Sequence, residues 1–237
     1  MKRILTMALL ALLPAMMMAQ KQGGEIKRPQ NKQPQQSTTM VGNTVNLGLP
    51  SGLLWADRNV GASSPSGYGS YFAWGETTPN KKNYYWDSYK YCNGSAHTMT
   101  KYVVTPNDGI GLDNLRQLEP ADDAAHAKWG GRWRMPTIEE FNEMLINTVS
   151  EWTTLNGVHG RRFTSKINGN SIFLPAVGWR FSKRGTLDAG SFGAYWSSSL
   201  VLTNRSDMAS SFDIWPGDTH DSNSDRYCGL CIRPVCK

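Results

Sequence analysis

Hydrophobic and polar positions divide the chain into three parts. Lys2 and Arg3 precede an almost unbroken apolar run over residues 4–18. Residues 20–40 are rich in Gln, Lys, Pro and Ser and offer almost nothing apolar to bury. Residues 41–237 alternate short apolar runs with Gly, Pro, Asn and Asp. This pattern predicts one folded domain that follows two segments of different character.

Two short helices are predicted near the middle of the domain. The first covers residues 122–128, with acids in its first turn and Gly130 beyond its end, as the helix dipole and the C-terminal cap favour. The second begins with Thr137 as N-cap and Glu140 three residues later, the pattern of a capping box. One apolar face follows, formed by Ile138, Phe141, Met144 and Leu145. We interpret the acids of both first turns as exposed capping residues rather than as a metal or acid–base cluster.

Short strands are predicted on both sides of these helices. Residues 45–47 and 53–56 flank a Pro-Ser-Gly turn, and the pairs Asn-Gly at 156–157 and 168–169 indicate tight turns. The later strands are predicted at residues 163–167, 171–174, 195–199, 210–215 and 230–235. The order of elements predicts an α+β domain, with two short helices on a twisted, mostly antiparallel sheet and long loops.

A long segment without regular structure is predicted between the first strands and the helices. Glycine and proline interrupt every candidate run over residues 60–118. A loop of this length is unusual unless it packs on its own side chains. Its aromatic residues can supply that packing: Tyr71, Phe72, Trp74, Tyr84, Tyr85, Trp86, Tyr89 and Tyr91.

The first two parts of the chain predict export. Basic residues, a short apolar run, small Ala19 and then polar Gln20 are typical of a cleaved signal peptide, which we assign to residues 1–19. The run is shorter than the roughly 20 residues that span a bilayer, and an uncleaved anchor is the alternative. Residues 20–40 are predicted to be a flexible linker. We expect a periplasmic, cell-surface or secreted protein without a membrane span in its mature chain.

Charge gives no indication of a nucleic-acid partner. The formal charge of +6 comes mostly from residues 1–40, because residues 41–237 carry 19 basic and 18 acidic side chains. A nucleic-acid-binding domain concentrates its basic residues on the folded surface. We therefore expect a glycan or a surface protein as partner, and no nucleic acid.

Seven segments of the domain resemble one family of exported bacterial proteins. They are VNLGLPSGLLWA at 45–56, YFAWGE at 71–76, LEPADDAA at 118–125, WGGRWRMPT at 129–137, FLPA at 173–176, YWSSS at 195–199 and IRPV at 232–235. They are similar to the Fibrobacter succinogenes major paralogous domain proteins of Bacteroidetes and Fibrobacter, over residues 44–235. The resemblance implies a C-type-lectin-like fold, of the variety shared with formylglycine-generating enzymes. It implies no established biochemical role.

The cysteines of the chain are Cys92, Cys228, Cys231 and Cys236. An even number in an exported protein favours disulfides, and we expect Cys92 to pair with one of the three others. Cys231 and Cys236 repeat the spacing of the two cysteines of formylglycine-generating enzymes, so a thiol-dependent oxidase is an alternative. These two cysteines fall where the resemblance places a buried strand rather than the catalytic segment. We therefore expect that the protein is not an enzyme. A zinc site would lack a second ligand pair, and we expect no metal or other cofactor.

Residues 200–227 are the expected ligand surface, because loops on a rigid sheet concentrate binding residues. The candidate ligand-binding residues are Asn204, Arg205, Asp213, Trp215, Asp218, His220, Asp221, Asn223, Asp225 and Arg226. An indole ring beside acids and amides suits a sugar, because the ring stacks on C–H groups while polar side chains bond the hydroxyls. A solvated turn region is one alternative. Calcium bound by Asp218, Asp221 and Asp225 is another.

These observations predict a binding module that recognises a glycan or a protein through residues 200–227. A structural or interaction domain of a surface assembly is the second hypothesis, and a thiol-dependent oxidase is the third. Residues 204–228 also resemble in composition the variable stretch of the lectin-like proteins that diversity-generating retroelements diversify.

We expect the exported protein to begin near Gln20. Intact mass spectrometry of the secreted protein, with and without reduction and alkylation, measures both the first residue and the number of bonded cysteines. A mass that includes residues 1–19 would show that the apolar run is retained as an anchor.

Overall fold

The computed structural model describes residues 43–237, which belong to the unit Thr38–Lys237 of the chain. The signal peptide (1–19) and the linker (20–40) lie outside the described residues, and both stay predictions. Within residues 43–237 there is no helix with the length and apolar character needed to cross a membrane.

The described residues form eleven strands and two α-helices. The elements are β1 (Thr44–Asn46), β2 (Leu54–Ala56), α1 (Ala124–Trp129), α2 (Ile138–Asn147), β3 (Thr148–Leu155), β4 (Val158–Ser165), β5 (Ser171–Pro175), β6 (Trp179–Arg180), β7 (Thr186–Leu187), β8 (Gly193–Leu200), β9 (Met208–Ile214), β10 (Thr219–Asp225) and β11 (Val235–Cys236). Neighbouring strands are antiparallel throughout. The predicted α+β class, mostly sheet with few helices, is confirmed.

The prediction of a single sheet is wrong, because these strands form four small sheets. Their orders are β1-β2-β11, β3-β4-β5, β8-β9-β10 and β6-β7. β8 pairs regularly with β9 only as far as Trp196, where the register shifts. The predicted strand over residues 230–235 is reduced to β11 and single bridges, such as that between Cys231 and Tyr195. Pro234 has no N–H to donate, so a continuous ladder cannot pass through it.

Helix α2 has the predicted capping box. Thr137 Oγ1 accepts from the Glu140 backbone N–H at 3.2 Å, and Glu140 Oε2 accepts from the Thr137 backbone N–H at 2.9 Å. The predicted apolar face packs on the sheets, where the Phe141 ring stacks on Phe212 with centroids 4.6 Å apart. The capping of α2 therefore fixes the helix that covers the β8-β9-β10 sheet.

Helix α1 begins two residues later than predicted, because its two acids have different roles. Asp123 is the N-cap and accepts from the backbone N–H groups of His126 and Met135 at 3.0 and 2.8 Å. Asp122 belongs to a 3-10 turn and accepts from Lys101 Nζ at 2.6 Å and from Tyr102 Oη at 2.7 Å. Both acids are buried, so the prediction that they are exposed is wrong.

The long segment before α1 packs on its own aromatic residues, as predicted. Apart from a 3-10 turn at Trp86–Ser88 and Pro120–Asp122, residues 57–123 contain only isolated bridges. Most of the predicted aromatic residues are buried, whereas Tyr85 is 43% exposed and Trp86 is partly buried. The long segment therefore forms part of the hydrophobic core and is not a solvent-exposed loop.

Two fully buried arginines hold this loop to the end of the chain. Arg226 donates to Tyr89 Oη at 2.8 Å, to Ser206 O at 2.6 Å and to Lys101 O at 3.0 Å, and its guanidinium lies 4.9 Å from the centroid of the Trp74 ring. Arg233 donates to Asn59 Oδ1, Ala56 O and Phe173 O at 2.8, 3.2 and 2.9 Å respectively. Burial lowers the pKa of Arg233 to about 10. Each guanidinium thus joins the long segment to distant parts of the domain through buried hydrogen bonds.

We expect Arg226→Met to lower the free energy of unfolding by about 3 kcal/mol, because it leaves buried acceptors without donors. Urea unfolding followed by tryptophan fluorescence measures the change. Arg162→Met is the matched control, since Arg162 is partly exposed and pairs with the exposed Glu151, and a surface ion pair contributes less than about 1 kcal/mol. Equal, small effects of the two substitutions would contradict the role assigned to Arg226.

Candidate functional site

Three of the predicted ligand residues form one cluster on the β8-β9-β10 sheet. Side chains alternate between the faces of a strand, and His220 of β10 pairs with Asp213 of β9. Trp215 follows Asp213 by two positions and extends the same face. The rings of Trp215 and His220 meet edge to face with centroids 4.8 Å apart. We call Asp213, Trp215 and His220 the Asp213 cluster.

Asp213 is the titratable group at the centre of this cluster. Burial raises the pKa of Asp213 to about 6, while hydrogen bonds from Ser222 and Ser211 and the nearby His220 oppose the shift. The hydroxyl of Ser211 donates to Asp213 Oδ1 at 3.3 Å. The surroundings of this carboxyl therefore favour its neutral form more than water does.

The other acids of the predicted surface lie elsewhere. The register of β10 places Asp221 and Asn223 on the opposite face from His220. Asp225 accepts a hydrogen bond from Tyr227 Oη at 2.8 Å. Asp218 lies in the turn that joins β9 to β10 and is exposed. The segment is a hairpin with two different faces rather than one loop surface.

The carboxylates considered for calcium do not converge. Asp221 and Asp225 are four residues apart on one strand, roughly 13 Å at 3.3 Å per residue. A calcium ion needs its oxygen ligands at about 2.3–2.6 Å, so Asp218, Asp221 and Asp225 cannot share one. Over residues 43–237, no group of three or more His, Cys, Asp or Glu side chains is arranged to hold a metal ion.

Arg226, Asn204 and Arg205 do not join the cluster either. Arg226 is fully buried, and all three of its guanidinium nitrogens donate within the domain, so the prediction of a ligand contact there is wrong. Asn204 Oδ1 accepts from Arg116 at 3.3 Å, and Arg205 pairs with Asp207 at 2.5 Å. These polar groups stabilise the connection that leads into β9.

A pocket of about 290 Å³ opens on the face that carries the Asp213 cluster. Its lining residues are Trp179, Asp188, Phe192, Ala194, Ser224 and Leu230. Ala194 of β8 pairs with Asp213, which places the pocket next to the cluster. The rings of Phe192 and Trp215 are stacked with centroids 6.5 Å apart, so the pocket and the cluster share an aromatic wall.

The β6-β7 hairpin positions Trp179 in this pocket. Gly178, just before the hairpin, has φ +68°, and a Cβ there would lie 2.0 Å from Leu187 O, so only glycine fits. Trp179 and Arg180 are adjacent on β6 and therefore point to opposite sides. Trp179 Nε1 donates to Asp188 Oδ2 at 3.0 Å. The indole ring is thus held both by the backbone and by an acid of the same pocket.

A tight turn after β7 positions Phe192. Asp188 has φ +57°, a left-handed conformation that Asp and Asn tolerate better than most residues. Its carbonyl accepts from the N–H groups of Ser191 and Phe192 at 3.1 and 3.0 Å. The Gly178 N–H donates to Phe192 O at 2.7 Å. Main-chain hydrogen bonds therefore fix Phe192 as a second aromatic wall.

Aromatic rings continue away from the pocket along the surface. Trp179 lies 6.0 Å from Phe181 between ring centroids, Phe181 lies 5.9 Å from Tyr227, and Tyr227 contacts both Tyr85 at 5.2 Å and Trp86 at 4.5 Å. We call the whole series the aromatic row: Trp215, Phe192, Trp179, Phe181, Tyr227, Tyr85 and Trp86. Except for Tyr227, these residues are exposed or partly exposed.

Sequence reasoning missed most of this pocket. Trp179, Asp188 and Phe192 lie before the segment 200–227, and Ser224 lies within it but is not among the predicted ligand residues. The available signal is three aromatic residues, Trp179, Phe181 and Phe192, in a stretch with turn residues and no strand pattern. That signal does not distinguish core aromatics from exposed ones, since the preceding long loop has the same composition.

The four cysteines are free thiols in the structure, and the expected disulfide is not formed between any described residues. Their surroundings differ: Cys92 Sγ lies 3.1 Å from Trp86 O, Cys231 Sγ lies 3.3 Å from Tyr68 O, and Cys236 packs on Trp133. Burial raises the pKa of all four thiols, that of Cys228 to about 12. A raised thiol pKa leaves little thiolate, the nucleophilic form that oxidase chemistry needs.

No protein-family model, no curated protein and no solved structure matches this chain.

We expect Asp213→Asn to raise the free energy of unfolding by about 1–2 kcal/mol near pH 7. The folded state raises the pKa of this carboxyl from 3.8 to about 6, so the stability that its protonation contributes is present at low pH and is lost as the pH rises through about 6. Denaturant unfolding from about pH 4 to pH 7 measures the effect, which should vanish at the acid end. Asp221→Asn, at an exposed position, is the control, and a pH-independent gain in Asp213→Asn would refute the assignment.

Proposed function

We propose that this domain is an exported saccharide-binding module without catalytic activity. The observation that carries the proposal is the pocket of about 290 Å³ whose walls include Trp179 and Phe192. Asp188 and Ser224 add hydrogen-bonding groups to the same lining. Pockets that bind small ligands combine apolar and aromatic walls with a few placed polar groups, and this one has that composition.

The chemistry of a sugar suits such a surface. A pyranose ring presents C–H groups on its faces, which pack on an aromatic ring, and hydroxyls at its edge, which hydrogen-bond to polar side chains. Trp179 is partly exposed and its ring is held by the hydrogen bond to Asp188, so little conformational freedom is lost on binding. A rigid, half-exposed indole is the kind of residue that contributes most at a binding surface.

The aromatic row supports a ligand longer than one sugar unit. The ring contacts within the row have centroids 4.5–6.5 Å apart, and Phe192 and Trp179, which have no described ring contact with each other, line the pocket together. Successive units of a chain could therefore pack on successive rings, which favours an oligosaccharide or polysaccharide. The Asp213 cluster lies at one end of this row, as Trp215 stacks on Phe192.

The wider assignments belong to the same proposal. We infer a C-type-lectin-like domain from the resemblance of the seven segments, and export from residues 1–19. The α+β class and the irregular, aromatic core are compatible with that fold. The raised thiol pKa values disfavour thiol-dependent oxidation.

We expect Trp179→Ala to weaken binding to a retained polysaccharide by at least about tenfold, because truncation removes the stacking surface. Affinity electrophoresis of the purified domain against a panel of soluble polysaccharides identifies a ligand and measures retention. Trp215→Ala should give a smaller loss, since Trp215 supports the pocket through Phe192.

Trp152→Ala is the matched control, because Trp152 is also partly exposed but lies on β3, in a different sheet. Circular dichroism and thermal unfolding show whether each variant is folded. The saccharide proposal fails if no polysaccharide retains the wild-type domain. It also fails if Trp179→Ala is retained as strongly as the wild type.

A further inference from the structure

The charge of the pocket narrows the class of ligand. Asp188 is the one ionisable residue in the lining, which contains no Lys, Arg or His. The exposed Asp188 carboxylate has one described hydrogen-bond donor, Trp179 Nε1, bonded to Oδ2 at 3.0 Å. The second carboxylate oxygen therefore has capacity for a donor brought by a ligand.

The acid lies beside two aromatic walls. The faces of aromatic rings carry negative potential, and a cation near a Trp or Phe face is attracted by it. Trp179 and Phe192 line the pocket together with Asp188, so the aromatic and the ionic attraction act on the same volume. A neutral sugar would use the stacking surface and hydrogen bonds to the polar lining residues, whereas a cationic sugar would add the ionic attraction of Asp188.

Basic residues near the pocket are directed elsewhere or lie outside its lining. Arg180 follows Trp179 on β6 but points to the other side, where its guanidinium lies 4.2 Å from the centroid of the Tyr71 ring. Lys183 and Arg184 are exposed in the turn between β6 and β7 and do not line the pocket. His220 packs on Trp215 and pairs with Asp213 across the strands, and it does not line the pocket.

We propose that the pocket binds a protonated amino sugar. Its ammonium group lies against the Trp179 and Phe192 rings and donates to the Asp188 carboxylate. The inference rests on the proposed saccharide-binding function and names the substrate class of that same site. It assigns Asp188 as the specificity-determining residue, because this side chain alone supplies charge within the lining.

The test compares oligosaccharides of β-1,4-linked glucosamine with N-acetylated oligosaccharides of the same length, at a pH where the free amines are protonated. Isothermal titration calorimetry with the wild-type domain should give about tenfold tighter binding of the cationic series. That preference should fall as sodium chloride is raised, because salt screens a partly exposed ion pair.

Asp188→Asn should abolish the preference, so that the cationic and the N-acetylated series bind the variant with equal affinity. The substitution keeps an oxygen that accepts from Trp179 Nε1, and Asn tolerates the left-handed backbone at this position. Asp221→Asn removes the same charge from the opposite face of β10 and should change neither affinity.

Equal affinity of the wild type for the two series, or tighter binding of the N-acetylated one, would overturn the amino-sugar inference while leaving saccharide binding intact. A preference that survives in Asp188→Asn would overturn it as well. Failure of both series, together with failure of the polysaccharide panel, would overturn the saccharide proposal itself.

Discussion

The buried guanidinium groups of Arg226 and Arg233 are the constraint on which the rest of this domain depends. A chain segment as long as residues 57–119 has backbone carbonyls that no ladder pairs, and burying them without donors would be costly. From the C-terminal part of the chain, Arg226 donates to Lys101 O of this segment and also to Ser206 O. Arg233 donates to Asn59 Oδ1 of the same segment and to Ala56 O and Phe173 O, which lie in β2 and β5. No described carboxylate pairs with either guanidinium, so their charge is distributed over carbonyl dipoles and, for Arg226, over aromatic faces.

This arrangement also positions the site. The Trp74 backbone N–H donates to Arg226 O at 2.9 Å, so the chain that follows Arg226 is fixed against the long loop. Tyr227 and Leu230 lie on that chain, the first in the aromatic row and the second in the pocket lining. The pocket is therefore built between a segment anchored by a buried charge and a hairpin that depends on one glycine.

The elements defined by local chemistry could be predicted from the sequence, and those defined by long-range contacts could not. The capping box of α2, the pairs of turn residues and the aromatic loop are local signals, and each is confirmed. The division into four sheets depends on the point at which β8 stops pairing regularly with β9. Which side chains of β10 share a face with Asp213 depends on the register of β10 against β9. Arg226 was misassigned because an arginine among polar residues gives no sign, in sequence, of whether it is buried. The pocket could not be predicted because four of its six lining residues lie between 179 and 194, outside the segment 200–227 in which ligand residues were expected.

Because β10 is an exposed edge strand, its sequence can change without disrupting the fold. Only Thr219 among its seven residues is buried, while its main chain is held by seven paired positions on β9. Substitutions along this strand change hydrogen-bonding groups at the surface but leave the hydrophobic core and its ladder in place. Ser224 lies in the pocket lining and His220 in the neighbouring cluster, so such substitutions also reach the ligand surface. The domain thus separates the residues that maintain its fold from those that are open to selection for new specificity.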